Sequence, residues 1–80
     1  KTKISFPNAA LNAGYAALEK HFAGASIDKL DGLRLDWDNK WLLIRASNTE
    51  PVVRAIAEAP TTAEAAKLCK EASEVLGVLA

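Results

Sequence analysis

The sequence predicts an α+β fold, a two-layer sandwich in which a small four-stranded antiparallel sheet carries two helices on one face, in the order β-α-β-β-β-α. Apolar residues recur at helical spacing near both ends of the 80-residue chain. Between these segments, apolar residues form short runs that are separated by turn residues, a pattern typical of strands. A chain of this length suits a single small domain, and we expect residues 1–80 to form one.

The first strand and the first helix are predicted from the amino-terminal quarter of the chain. Residues 3–6 form a short strand that ends at Pro7, which has no N–H group to donate to a sheet. Asn8 is a favoured N-cap for a helix that continues to about Ala23, and Gly24 follows as its C-cap. The apolar stripe of this helix consists of Leu11, Tyr15, Leu18 and Phe22.

A hairpin is predicted in the middle of the chain. Residues 32–37 alternate between apolar and charged side chains, which indicates a half-buried strand. A tight turn at residues 38–40 leads to a second, antiparallel strand at residues 41–45. The apolar face of the first of these strands carries Leu33, Leu35 and Trp37.

Residues 52–58 fit two patterns. Ser47 and Glu50 have the spacing of a helix capping box, and Pro51 lies close to the favoured first position of a helix. Read with a period of two, residues 52–58 form a strand with Val53 on its core side. The β-branched start and the proline at position 60 slightly favour the strand.

The last segment is predicted to be helical. Thr61 and Glu64 form a capping box at its start. Its apolar stripe consists of Leu68, Ala72, Val75 and Leu79.

Composition narrows the classes of function. Ten basic residues balance ten acidic ones, so the chain has no bulk charge that would attract nucleic acid or a membrane. Cys69 is the only cysteine, which excludes an internal disulfide and suits a reducing compartment. The amino terminus lacks the apolar core of a signal peptide, so we expect a cytoplasmic protein. It also lacks an initiator methionine, and we expect the chain to be a fragment of a longer protein.

Residues 45–51, RASNTEP, place several hydrogen-bonding groups between two apolar runs. Arg45 offers a fork of donors suited to phosphate, and Ser47, Asn48 and Thr49 offer hydroxyl and amide groups. A tight turn here would also direct successive backbone N–H groups inward as an anion-binding nest. The alternative is an ordinary turn, for which the same residue types are common. Glu50 repels anions, and we expect it to pair with Arg54 or to brace the loop.

Residues 31–58 resemble the C-terminal domain of the α-D-phosphohexomutases, and are most similar to the bacterial phosphomannomutase/phosphoglucomutase branch. The match rests on the DG-x-R strand entry, an apolar strand containing tryptophan, and R-x-S-N-T-E-P followed by a V-x-R strand. Phosphoglucosamine mutases tend to have S-G-T in place of Ser47-Asn48-Thr49, so Asn48 favours the former branch.

The resemblance implies a role in substrate binding. These enzymes have four domains around a cleft, and the loop of the last domain holds the phosphate that is not transferred. Carried onto this chain, the contacts to the substrate phosphate are Arg45, Ser47, Asn48 and Thr49. The expected partners are a hexose phosphate (glucose or mannose 1- or 6-phosphate, or the bisphosphate intermediate) and the remaining domains of the parent enzyme. The resemblance also makes residues 52–58 a strand.

The resemblance also implies what the chain lacks. The family's phosphoserine and its magnesium loop belong to other domains, so this chain should contain no catalytic residue and no metal ligand, and Mg²⁺ should bind in the parent enzyme. We therefore expect the isolated domain to be inactive. Two rival interpretations remain: the same domain of a phosphoglucosamine mutase, and a stand-alone interaction module in which residues 45–51 are merely a turn.

The remaining candidates have simpler explanations. His21 is expected to be a solvated helical residue and Cys69 a small buried hydrophobe. Trp37 and Trp41 are expected to pack in the core rather than to form a platform for a sugar. Four charged residues should share the sheet face opposite the helices, either as a cross-strand charge ladder or in contact with neighbouring domains: Arg34, Asp36, Arg54 and Glu58.

Overall fold

The computed structural model describes residues 2–29, 32–47 and 49–79. The amino-terminal half contains strand β1 (Thr2–Ser5), a 3-10 helix (Asn8–Ala10), helix α1 (Leu11–His21) and strand β2 (Ser26–Asp28). Strands β3 (Leu33–Asp36), β4 (Trp41–Ala46) and β5 (Val52–Glu58) follow, and helix α2 (Thr62–Leu79) ends the described chain. The α+β class is therefore confirmed.

In the described part of the chain, the sheet contains five antiparallel strands in the order β1-β5-β4-β3-β2, so the expectation of four strands was wrong. The additional strand is β2, which lies at one edge and pairs with β3. All three residues of β2 are exposed, including Ile27. Backbone hydrogen bonds rather than burial hold this strand, and it therefore leaves no alternating apolar pattern in the sequence.

One face of the sheet forms the core with both helices. The pairing register aligns the buried residues of neighbouring strands, such as Ile4 with Val53 and Leu35 with Leu42. Leu18 of α1 and Leu76 of α2 pack into the same cluster. The sheet residues that complete this cluster are Leu33, Ile44 and Ala55. Burial of these side chains, at roughly 25 cal/mol per Å² of apolar surface, is the main stabilisation of the fold.

Residues 52–58 form a strand, and the helical interpretation of this segment is wrong. Strand β5 lies between β1 and β4 and pairs with both. Its backbone groups are therefore engaged on two sides, and Val53 and Ala55 are buried against the helices.

The helix termini follow the predictions in part. Helix α1 begins at Leu11, later than expected, because a 3-10 turn precedes it and Ala10 gives no side-chain cap. Gly24 has a positive φ of 101°, as expected after a helix end. At α2, the Glu64 N–H donates to Thr61 Oγ1 at 3.1 Å, which confirms that cap. The predicted roles of the Asn8 and Leu79 side chains lie outside the described part of the chain.

Neither helix in the described part of the chain combines the length and apolar character that a membrane span requires.

Candidate functional site

The loop between β4 and β5 is fixed at its base by backbone hydrogen bonds. The Ser47 N–H donates to the Val52 carbonyl oxygen at 2.9 Å, and the Val52 N–H donates to the Glu50 carbonyl oxygen at 2.8 Å. The Phe6 N–H donates to the Pro51 carbonyl oxygen at 2.8 Å, which ties the end of β1 to the same loop. The described part of this loop is thus attached to three adjacent strands.

Ser47 Oγ is the point on which the loop's backbone donors converge. The N–H groups of Thr49 and Glu50 both donate to it, each at 3.3 Å, and Thr49 Oγ1 lies 3.4 Å away. These distances are long for hydrogen bonds, so the contacts are weak. The N–H groups of Thr49 and Glu50 therefore both point at a serine oxygen of the same loop, and the predicted anion nest stays a prediction. Asn48 lies outside the described residues.

Arg45 lies at the loop end of β4, exposed on the sheet face that the helices do not cover. Its neighbour along the strand, Ile44, is buried in the core, so the Arg45 side chain points away from the helices. Gly32 lies close to the Arg45 side chain: a Cβ at position 32 would lie 3.2 Å from Arg45 Cγ. Arg45 thus lies two residues before Ser47, on the strand that leads into the loop.

Arg54 was not predicted as a site residue, but the register places it directly opposite Arg45 on β5. Lys3 of β1 lies opposite Arg54 on its other side. Arg45, Arg54 and Lys3 therefore form a basic row across three neighbouring strands, and like charges facing each other across strands are destabilising. Of the two roles expected for Glu50, no ion pair joins it to Arg54 among the described residues. Its backbone braces the loop instead, since its N–H donates to Ser47 Oγ and its carbonyl oxygen accepts from the Val52 N–H.

The opposite end of the same face carries acidic and aromatic residues. Asp36 and Glu58 lie on either side of Trp41 in the register. The Arg34 guanidinium donates to both Asp36 carboxylate oxygens, at 2.8 and 3.0 Å, and lies 4.7 Å from the Trp41 ring centroid. Arg34 and Asp36 belong to the same strand, so this charge pair lies within β3 and is not a cross-strand ladder.

The core-packing prediction holds for one tryptophan only. Trp37 packs against the core and meets the Phe22 ring edge-on, with centroids 5.7 Å apart. Trp41 lies on the open face, because its neighbour Leu42 points into the core. The prediction for Trp41 was therefore wrong.

The other titratable candidates are structural. His21 is exposed on α1, where its Nε2 lies 3.2 Å from Glu71 Oε1 of α2. Cys69 is buried, and its thiol donates to the Ala55 carbonyl oxygen at 3.5 Å. In the ranges 2–29, 32–47 and 49–79, no three histidine, cysteine or carboxylate side chains are grouped so as to hold a metal ion.

Comparison with known proteins identifies relatives of the whole domain. A family model described as "Phosphoglucomutase/phosphomannomutase, C-terminal domain" matches residues 2–75. A probable phosphoglucosamine mutase of Methanocella arvoryzae is 38% identical over 74 residues, which cover 92% of this chain and 17% of that protein. A probable phosphoglucosamine mutase of Pyrococcus horikoshii is 33% identical over 69 residues, or 86% of this chain and 15% of that protein.

A bacterial relative is named as a phosphomannomutase/phosphoglucomutase. The phosphomannomutase/phosphoglucomutase of Pseudomonas syringae pv. tomato is 46% identical over 50 residues, which cover 60% of this chain and 11% of that protein. The chain therefore spans between 11% and 17% of the length of these relatives.

Proposed function

The chain belongs to the family of phosphoglucomutase/phosphomannomutase C-terminal domains, and from that premise we propose that it is the phosphate-binding domain of a longer phosphohexomutase. The parent enzyme would interconvert hexose 1- and 6-phosphates. In this proposal, Arg45, Ser47, Asn48 and Thr49 anchor the phosphate that is not being transferred. Arg54 joins them, because it faces Arg45 across the sheet.

The observation that supports this proposal is the convergence of two backbone donors in the loop that connects the strands of two facing arginines. The N–H groups of Thr49 and Glu50 aim at one point, which Ser47 Oγ fills at 3.3 Å from each nitrogen. A phosphate oxygen can replace the hydroxyl oxygen as their acceptor, and the freed hydroxyl can then donate to the phosphate. The arginines supply charge-assisted hydrogen bonds, each contributing roughly 1.5–3 kcal/mol.

The role of the domain in the reaction is positioning. A phosphate held at the loop orients the sugar so that its opposite oxygen meets the phosphoryl donor, and such orientation lowers the barrier by several kcal/mol. The donors recognise only phosphate, so either end of the sugar can bind when the bisphosphate intermediate turns around. The phosphoserine and Mg²⁺ belong to other domains in this proposal. The described residues do not fit a metal site, and the isolated chain is inactive.

The identity of the sugar has two candidates. The Ser-Asn-Thr sequence of residues 47–49 favours phosphomannomutase/phosphoglucomutase, the name of the Pseudomonas syringae relative. Two archaeal relatives that cover most of this chain are named probable phosphoglucosamine mutases, which supports that alternative about equally.

The test is a titration of the chain with glucose 1-phosphate, followed by the amide NMR signals of residues 45–50. We expect shifts confined to this loop, absent with plain glucose, and binding no tighter than about 1 mM, or about −4 kcal/mol. Arg45→Ala should abolish the shifts and leave the fold intact. The matched control is Lys67→Ala, which removes an exposed cation from helix α2.

The rival interpretation as an interaction module makes the opposite prediction. If the loop is only a turn, Arg45→Ala should change no phosphate response. Repeating the substitution in the full-length parent enzyme distinguishes a turn from a cradle that needs its partner domains, because only the cradle would lose substrate affinity.

A further inference from the structure

Lys3 completes a row of positive charge that begins at the loop. We propose that Lys3 strengthens phosphate binding at residues 45–50 through its charge, without touching the loop, and this inference rests on the proposed function. Lys3 faces Arg54, and Arg54 faces Arg45, across adjacent antiparallel strands. Two strand spacings separate Lys3 from Arg45, or about 10 Å between Cα atoms. The flexible lysine side chain can bring its ammonium group nearer than that.

The positive charges of Lys3 and Arg54 are not balanced by ion pairs. No ion pair among the described residues involves either side chain. Among the described carboxylates of this face, Asp36 and Glu58 lie beside Trp41 at its other end, and Asp28 lies opposite Arg34 on the far edge strand. Glu50 is the one carboxylate of the loop itself. An arrangement that places like charges opposite each other costs stability, and a bound anion would offset that cost.

A structural explanation for Lys3 also exists. Strand β1 is an edge strand, and lysine on an edge strand discourages pairing with other chains. This explanation predicts that the sign of the charge is unimportant, because glutamate would protect the edge as well. An effect on phosphate binding requires a positive charge, so reversal of the charge separates the two.

The expected size of the effect follows from Coulomb's law. A single charge about 7 Å from a dianion in water, screened at about 0.1 M salt, changes affinity by about threefold. Lys3→Gln should therefore weaken phosphate binding about threefold, and Lys3→Glu about eightfold. Both effects should grow at low salt and shrink in about 1 M salt, where the screening length is about 3 Å. Lys3→Arg should retain the affinity of the unsubstituted chain.

The experiment is a titration with inorganic phosphate, at a pH where phosphate is dianionic, followed by the amide signals of Thr49 and Glu50. The matched control is Lys67→Glu, the same charge change on helix α2, which packs on the other face of the sheet. A larger loss for Lys3→Glu than for Lys67→Glu, with the stated salt dependence, supports the inference. Equal affinities of both variants and the unsubstituted chain would overturn it and leave the proposed function standing. If the unsubstituted chain gives no response, the same variants are compared for substrate affinity in the full-length parent enzyme, where an unchanged affinity in Lys3→Glu overturns the inference.

Discussion

Ser47 Oγ accepts hydrogen bonds from the same two backbone amides that a phosphate oxygen would need. The two interpretations of residues 45–51, turn and anion cradle, therefore describe one local geometry. The hydroxyl keeps the N–H groups of Thr49 and Glu50 aimed inward when no ligand is bound. At 3.3 Å both bonds are near the long limit for hydrogen bonding. A charged acceptor oxygen would form stronger bonds with the same N–H groups than the hydroxyl does.

Gly32 permits the close approach of β3 to Arg45. Its φ is 82°, and a Cβ there would lie 2.4 Å from the Ile44 carbonyl oxygen and 3.2 Å from Arg45 Cγ. We expect Gly32→Ala to lower the free energy of unfolding by about 1–3 kcal/mol, because both the backbone conformation and the contact are unfavourable. Urea denaturation measures the loss.

Gly24→Ala is the matched control for this substitution. Gly24 also has a positive φ, 101°, but no atom lies within 4 Å of the position that a Cβ would occupy there. It therefore reports backbone strain alone, and the additional loss in Gly32→Ala reports the collision with β4. Equal losses in the two variants would mean that the backbone at Ile44 and Arg45 adjusts without cost.

Single residues were predicted where a motif carries them and missed where register decides. Arg45, Ser47 and Thr49 come from a contiguous motif; the structure joins Ser47 and Thr49 by hydrogen bonds, and their shared role with Arg45 stays a prediction. Arg54 and Lys3 join them only through strand pairing, which depends on the exact length of the loops. The open face of β4 carries the apolar Trp41 and Leu43 besides Arg45, so the alternation was too weak to assign Trp41 to that face.

Strand β3 carries a charge pair that stabilises its own open face. Arg34 and Asp36 are two residues apart and therefore point the same way, and the guanidinium donates two hydrogen bonds to the carboxylate. The hydrogen bond from Arg34 lowers the pKa of Asp36 below 3.8, against the opposing effect of desolvation. The same hydrogen bond is the main cause that raises the pKa of Arg34.

The pair predicts a dependence of stability on pH. Because the folded-state pKa of Asp36 is below its ordinary value of 3.8, the unfolded chain binds more protons in that range. The contribution of Asp36 is therefore fully present above pH 3.8 and is lost as the pH falls through the lower, folded-state pKa. The difference in unfolding free energy between the unsubstituted chain and Asp36→Asn should be constant at about pH 5–7 and shrink in acid, as urea denaturation can measure.

Arg34→Gln provides the control for this pH dependence. It removes the donor and leaves the carboxylate. The difference in unfolding free energy between Arg34→Gln and the double variant Arg34→Gln with Asp36→Asn should therefore not change between about pH 5–7 and acid. A difference that still shrinks in acid would mean that another group lowers the pKa of Asp36.

Among the helices and strands, the sequence predicts those with one buried face, because their apolar residues recur at regular spacing. The two helices, β3 and β4 follow from apolar spacing, with ends displaced by one to a few residues. Strand β5 was ambiguous, because its apolar residues fit both periods, and pairing on two sides decides in favour of the strand. Strand β2 was missed because its three residues are all exposed.

At the scale of the whole molecule, the two sheet faces differ in burial and in charge. The helices and one face form the core, while the open face has positive charge beside the loop and negative charge toward the hairpin. This polarity suits a surface that attracts an anion to one end. The chain spans only 17% of the Methanocella arvoryzae relative, so the chemistry and the choice of sugar belong, in our proposal, to the remainder of the parent enzyme.

The last prediction concerns the choice of sugar. A loop that contacts only phosphate cannot distinguish mannose, glucose and glucosamine phosphates, because the phosphate group is the same in all three. In the full-length parent enzyme, Asn48→Gly should therefore change kcat/KM for the three substrates in parallel, even though Ser-Gly-Thr is typical of phosphoglucosamine mutases. Arg45→Ala is the control, and should lower all three values together. A relative gain of about tenfold for glucosamine phosphate, or about 1.4 kcal/mol, would instead mean that residue 48 reads the sugar.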